Sequence, residues 1–292
     1  MLVKSAAALP HLKTAGAGLL SWTAAVLLTL GFAGAPAHAA RDSATAPGAV
    51  WEKVKYSLFP GAEIQEDKTG QIIKLETPAR AMDAAIVPIA IRSQIEQTAD
   101  RYIDKIWLVV DNNPSPVGAE FTLSPDSGRA DIETRIRIEE YTNVRAVARL
   151  NDGSVHVVTN YVKAAGGCSA PAGKDLAAAM ANMGRMKIRL NGDPVKGKPL
   201  SAQLMVSHPN VSGLSMDQVS RTYAPAHFVR HIEVSYAGKK VLEANVDFSI
   251  SENPNFRFWF TPQTPGDLVA KVVDSEDKKF SQSVSINPGA SL

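Results

Sequence analysis

The chain has 292 residues, 45% hydrophobic and 21% charged, with a formal net charge of +2. This composition belongs to a folded globular protein and excludes a disordered chain, and the near-neutral charge gives no electrostatic support to a nucleic-acid or anionic-membrane partner. The length accommodates two domains of ordinary size, and with 7% aromatics their cores must rest on Val, Ile, Leu and Ala.

Residues 1–39 read as a secretory signal peptide. Lys4 and Lys13 give a basic start, residues 15–37 carry no charge, and Ala37-His38-Ala39 fits a small-x-small cleavage site. An uncleaved anchor is the alternative, because the uncharged run is long enough to span a bilayer. No Arg-Arg pair is present, so export by the general route to the periplasm is expected. Removal of Lys4 and Lys13 leaves the mature chain with basic and acidic residues in balance.

Residues 40–80 form a lead-in. Residues 51–59 approach a helical period, Pro60-Gly61 stops them, and residues 72–75 read as a short strand. From 81 to 163 the period changes to that of strands, at 85–91, 103–110, 117–123, 132–138, 144–150 and 155–162. Asn112-Asn113-Pro114 and Asn151-Asp152-Gly153 mark turns. Residues 164–184 form an arm and linker with a short helix predicted over 175–183. A second strand series fills 185–292, at 186–190, 200–206, 228–236, 241–250, 256–260, 268–273 and 280–286. Strands at this spacing predict an all-β chain of two immunoglobulin-like antiparallel β-sandwiches joined by a cysteine-bearing linker.

The linker holds the only cysteine, in Gly166-Gly167-Cys168-Ser169-Ala170-Pro171-Ala172-Gly173. A single cysteine in an exported protein makes no internal disulfide; it is buried and inert, paired with another molecule, or reactive. The stretch has little apolar sequence with which to bury itself, so Gly166, Gly167, Ser169 and Gly173 read as a flexible arm presenting an exposed thiol of ordinary pKa, ~8.5. Extended from Lys163, the thiol stands at most ~17 Å from the last strand.

The order of short motifs resembles SoxYZ, the carrier of periplasmic sulfur oxidation, with both subunits fused. The first half carries Val87-Pro88-Ile89, Asn112-Asn113-Pro114-Ser115-Pro116, Thr134-Arg135-Ile136-Arg137 and Val144-Arg145-Ala146-Val147-Ala148, closing into Gly166-Gly167-Cys168. The second carries His208-Pro209 near Ser212-Gly213, Pro225-Ala226-His227-Phe228, Asn253-Pro254 and Gly266-Asp267. The resemblance runs from about 51 to 287. It implies a SoxY-like sandwich over 81–163 and a SoxZ-like sandwich over 185–292, paired within the chain. It further implies Cys168 as the covalent attachment site for sulfur intermediates, with no catalysis of its own and no cofactor. The implied partners are periplasmic sulfur-oxidation enzymes or a quinoprotein dehydrogenase system. The family's cysteine lies in a Gly-Gly-Cys-Gly-Gly tail; here Ser169-Ala170 replaces the second pair and the chain continues, so the arm is held at both ends.

Other readings stay open. Met180, Met183 and Met186 recur every third residue after Cys168, a soft-ligand pattern for Cu(I); the plainer account is core packing. A thiol hydrolase would pair Cys168 with His208, His227 or His231, although His227 and His231 sit at the entry to a strand pattern. A third reading is a non-covalent adaptor for a quinoprotein dehydrogenase, with Cys168 incidental. Glu139-Glu140, Lys239-Lys240 and the charges over 274–279 read as solvated turn residues.

Overall fold

Gly48, in left-handed backbone, starts helix α1 (Ala49–Leu58), and its inner face buries Trp51 and Val54. The computed structural model describes residues 48–171, 176–216 and 221–289; the leader at 1–39, Gly173 and Asp175 lie outside the described residues. The first half then supplies β1 (Ile64–Glu66), β2 (Ile73–Glu76), β3 (Val87–Ser93), β4 (Ile103–Val110), β5 (Val117–Leu123), β6 (Ile132–Ile136), β7 (Thr142–Leu150) and β8 (Val155–Val162). Helix α2 (Leu176–Ala181) leads into β9 (Met186–Leu190), β10 (Leu200–Val206), β11 (Val229–Tyr236), β12 (Lys239–Val246), β13 (Asn255–Phe260), β14 (Gly266–Asp274) and β15 (Lys279–Ile286).

The strands form two sheets, and both sheets run through both halves. The larger has the order β1-β8-β7-β4-β5-β12-β11-β14-β15 and the smaller β2-β3-β6-β13-β10-β9. Each half therefore contributes a sandwich, and the two sandwiches meet edge to edge. In the larger sheet the seam is the antiparallel pair β5–β12, with Phe121 opposite Ala244. In the smaller it is β6 beside β13, with Glu133 opposite Arg257. This pairing occupies the backbone groups that two separate sandwiches would leave unpaired at those edges. Pairing is antiparallel throughout the larger sheet except for β1, which runs parallel to β8.

Alternation explains how one core forms. On β4, Ile106, Leu108 and Val110 face the space between the sheets, while Trp107 and Val109 face outward. The outward set is covered by Trp51, Val54 and Phe59, so the lead-in roofs the sheet instead of trailing from it. The Phe59 ring meets Trp107 edge-on at 4.8 Å, and the Arg145 guanidinium lies 4.8 Å from the Trp51 ring centre. Arg145 is fixed there by a two-pronged bond to Asp111, at 2.9 and 2.7 Å.

The inner cluster crosses the seam. Phe121 of the first half and Phe256 of the second, both fully buried, pack edge-on at 6.2 Å. Because the cores are continuous, the halves should unfold together. Phe121→Ala is expected to cost about 3–5 kcal/mol, the usual range for a buried aromatic. In denaturant, hydrogen exchange in β4 and in β11 should be lost at one shared midpoint, displaced equally by the substitution. Two separate midpoints would contradict the shared core.

Candidate functional site: a buried thiol at the seam

Beyond β6 the chain continues as Arg137-Ile138-Glu139, and this short segment is the floor on which the arm lies. Buried Asn113 holds the floor from one side: its amide donates to the Arg137 carbonyl at 2.8 Å, and its oxygen accepts from Glu139 N–H at 2.9 Å. The second half holds it from the other. Arg137 N–H donates to the Ser249 carbonyl, and the Arg137 guanidinium donates to the carbonyls of Phe248 and Ile250 at 2.8 and 2.9 Å.

The arm adds itself to this floor by backbone bonds. Gly166 N–H donates to the Glu139 carbonyl at 2.8 Å and Gly167 N–H to that of Ile138 at 2.9 Å. The Glu139 carboxylate then accepts from Cys168 N–H at 2.8 Å, Ser169 N–H at 3.0 Å and Ser169 Oγ at 2.8 Å. From the second half, Ser212 Oγ donates to the Cys168 carbonyl at 2.6 Å. Cys168 is completely buried. The expected exposed loop is thus, in this structure, a docked one.

The two glycines serve this docking directly. Gly166 has φ +80°, a left-handed conformation that side chains disfavour. A Cβ on Gly167 would stand 2.0 Å from the Ala84 carbonyl oxygen and 2.8 Å from Ile138 N. Only glycine lets the arm approach the 84–85 segment this closely.

Burial also changes the thiol. Cys168 is pushed up to about 12, first by loss of solvent and next by the Glu139 carboxylate; Arg137 opposes this and Asp247 adds to it. The ordinary value expected from the sequence is therefore replaced. Folding favours the neutral thiol, so this contribution to stability is whole below pH 9.0, the unfolded value, and is lost as pH rises through about 12. Asp247, also a neighbour of the thiol, is raised to about 6 by burial, against its bond from Ser249 N–H and the nearby Arg137 charge. Arg137 itself is held below its ordinary value by burial.

Other candidate residues fall elsewhere. His231 lies on β11 with Nδ1 2.9 Å from Asn245 Oδ1. Met186 packs against the core from β9, and α2 buries none of its residues, including Met180. Two groups read as solvated turn charges are instead working parts. Glu139 holds the arm, and Asp274 is fully buried beside His227, with Nε2 to Oδ2 at 2.8 Å. Burial raises the Asp274 carboxyl, but His227 and the N–H groups of Lys278 and Glu276 outweigh it and keep it low.

His208, His227 and Asp274 converge so that ligand atoms lie within 4.8 Å of one another. The tautomer argues against a metal there. Asn210 N–H donates to His208 Nδ1 at 3.0 Å, so the neutral ring carries its proton on Nε2, the atom facing the cluster. A metal-bound histidine needs the reverse arrangement. Loss of solvent and then the His227 ring pull His208 down to about 4, which keeps it neutral. The cluster acts as a staple: Val211 and His227 exchange backbone bonds at the base of the loop that begins with Ser212.

If the fit of Gly167 holds the arm down, Gly167→Ala should free it. Alkylation of Cys168 at pH 8 is expected to accelerate about five- to 150-fold, the effect of about 1–3 kcal/mol of steric strain on the closed state. An unchanged rate would show that the arm's closure does not depend on this contact.

Comparisons with known proteins agree with the order of these motifs. The model of "Sulfur oxidation protein SoxY" matches residues 58–168, and that of "Sulphur oxidation protein SoxZ" matches residues 188–285. No curated protein matches. Among solved structures, a superoxide reductase (neelaredoxin) from Ignicoccus hospitalis aligns at 15% identity and TM-score 0.31, over 34% of this chain and 93% of its own. A beta-glycosidase from Bacteroides vulgatus aligns at 8% identity and TM-score 0.24, over 74% of this chain and 25% of its own. Likenesses this low carry no argument. The tandem SoxY and SoxZ matches, which meet at the seam where the thiol is docked, place the chain in the SoxYZ family of sulfur-oxidation carriers as a fused protein.

Proposed function

We propose that the protein is a periplasmic carrier that holds inorganic sulfur intermediates covalently on Cys168 Sγ and presents them to partner enzymes. The observation that carries this reading is positional: the SoxY match ends on Cys168, the only cysteine of the chain. The secretory character of residues 1–39 supports the periplasm as its location, and the fused arrangement supports a quinoprotein dehydrogenase system among its partners.

The chemistry assigns little independent reactivity to the thiol. At about 12 the ionised fraction at pH 7 is on the order of one in 100,000, too small for an autonomous nucleophile. Conjugation therefore requires the arm to leave its seat, where the thiol regains an ordinary acidity. In loading from a thiosulfate-type anion, the Cys168 S–H proton is released and an S–S bond forms to the cargo's terminal sulfur. Two electrons pass to an electron acceptor held by the partner oxidoreductase. The carrier contributes the sulfur, the mobility and the shielding, and the cargo is the only group it needs to hold.

Cys168→Ala tests this against a purely adaptor role. The variant should support no sulfur oxidation with the partner enzymes while binding them as the native protein does. Retained oxidation would overturn the carrier reading and leave the adaptor.

A further inference from the structure

The docked arm is surrounded by a set of charges that the carrier reading leaves unexplained. The Glu139 carboxylate accepts three bonds from the arm, and Asp247 lies within electrostatic reach of the thiol. Beside the arm is a pocket of about 500 Å³ bordered by Ala170 and Pro171, by the carboxylates of Asp83 and Glu252, and by Arg137. Arg137 is the cation facing the thiol, and one arm of its guanidinium is already committed to the carbonyls of Phe248 and Ile250. The thiol is therefore closed to solvent, and the charges around it are predominantly acidic.

We infer that the seat is a charge-sensitive latch: Glu139 holds the empty arm closed, and an anionic adduct on Cys168 drives the arm out. The inference rests on the carrier reading for why the arm is loaded at all. A neutral thiol costs nothing electrostatically beside Glu139 and Asp247. A sulfonate-bearing or persulfide anion placed there loses its water and meets two carboxylates at once, with one guanidinium to oppose them. The bonds from Cys168 and Ser169 to Glu139, and that from Ser212 to the Cys168 carbonyl, are the contacts that must break. The empty carrier would hide its thiol from oxidants and unintended partners, and the loaded carrier would display its cargo. The device needs no conformational energy from a partner, because the cargo's own charge supplies the bias between the two states.

The test separates charge from size. Cys168 is converted with two methanethiosulfonate reagents, each of which forms a mixed disulfide and releases methanesulfinate. One leaves a 2-sulfonatoethylthio group, the other a 2-ammonioethylthio group of similar length. Amide hydrogen exchange at Cys168 and Ser169 is then measured on the full chain. The anionic adduct should exchange about tenfold faster or more than the cationic one. Equal rates would overturn the inference, since the opening would then be steric. In the unloaded protein, Glu139→Gln and Glu139→Ala should each speed iodoacetamide labelling of Cys168, the alanine variant by about tenfold or more, with exchange in β11 unchanged. Labelling at the native rate in both variants would remove Glu139 as the latch. These readouts use no partner and no natural cargo. Equal rates for the two adducts would leave the carrier reading standing, and a carrier that is never loaded in the cell would leave these rates as they are.

Discussion

The backbone of Gly167 lies so close to the carbonyl of Ala84 that no side chain fits between them, and the thiol's behaviour follows from that contact. It lowers the arm far enough for Gly166 and Gly167 to bond to the floor at Glu139 and Ile138. Once they do, Cys168 and Ser169 fall within reach of the Glu139 carboxylate and Ser212 within reach of the Cys168 carbonyl. Burial of the sulfur, its suppressed ionisation and its separation from solvent are consequences of the same fit. Gly166 and Gly167, which the sequence reads as joints of a flexible arm, form the surface that lets the arm fold flat.

Neither half could build this seat alone. The floor belongs to the first half, but its guanidinium is anchored on Phe248 and Ile250 of the second, and Ser212 of the second half holds the arm. The His208–His227–Asp274 staple lies at the base of the segment that supplies Ser212, and Asn210 Oδ1, just before that base, accepts from Val229 N–H of β11 at 3.0 Å. The continuous sheets fix the distance between the two sides. Fusion in one chain keeps the clamp and the thiol together, in a seat made by both halves.

Much of the strand placement along the chain was legible in the sequence, because alternation of Val, Ile and Leu with polar residues sets which face of a strand is wet. Residues 103–110, 117–123 and 155–162 form strands as their pattern predicts. Strand β1 was not legible: three residues, none of them buried, carry no period. The roles of Glu139 and Asp274 were hidden for a different reason. Both sit next to other charges at the end of a strand, where local sequence suggests solvent, and both acquire partners about 30 and 47 residues away. The burial of Cys168 was missed because its own neighbours are small. Its cover comes from the fold, through Glu139 and through Ser212, 44 positions downstream. Residues of the motifs that resemble a carrier, Asn113, Arg137, His208, Ser212 and His227, come to lie in the frame around Cys168.

The central claim is that Cys168 is a loading site, and the mass of the native protein tests it most directly. Protein isolated from the periplasm without reductant, under conditions where sulfur compounds are being oxidised, should show a set of mass additions on Cys168 that reductant removes. A uniformly unmodified Cys168 under those conditions would contradict the account.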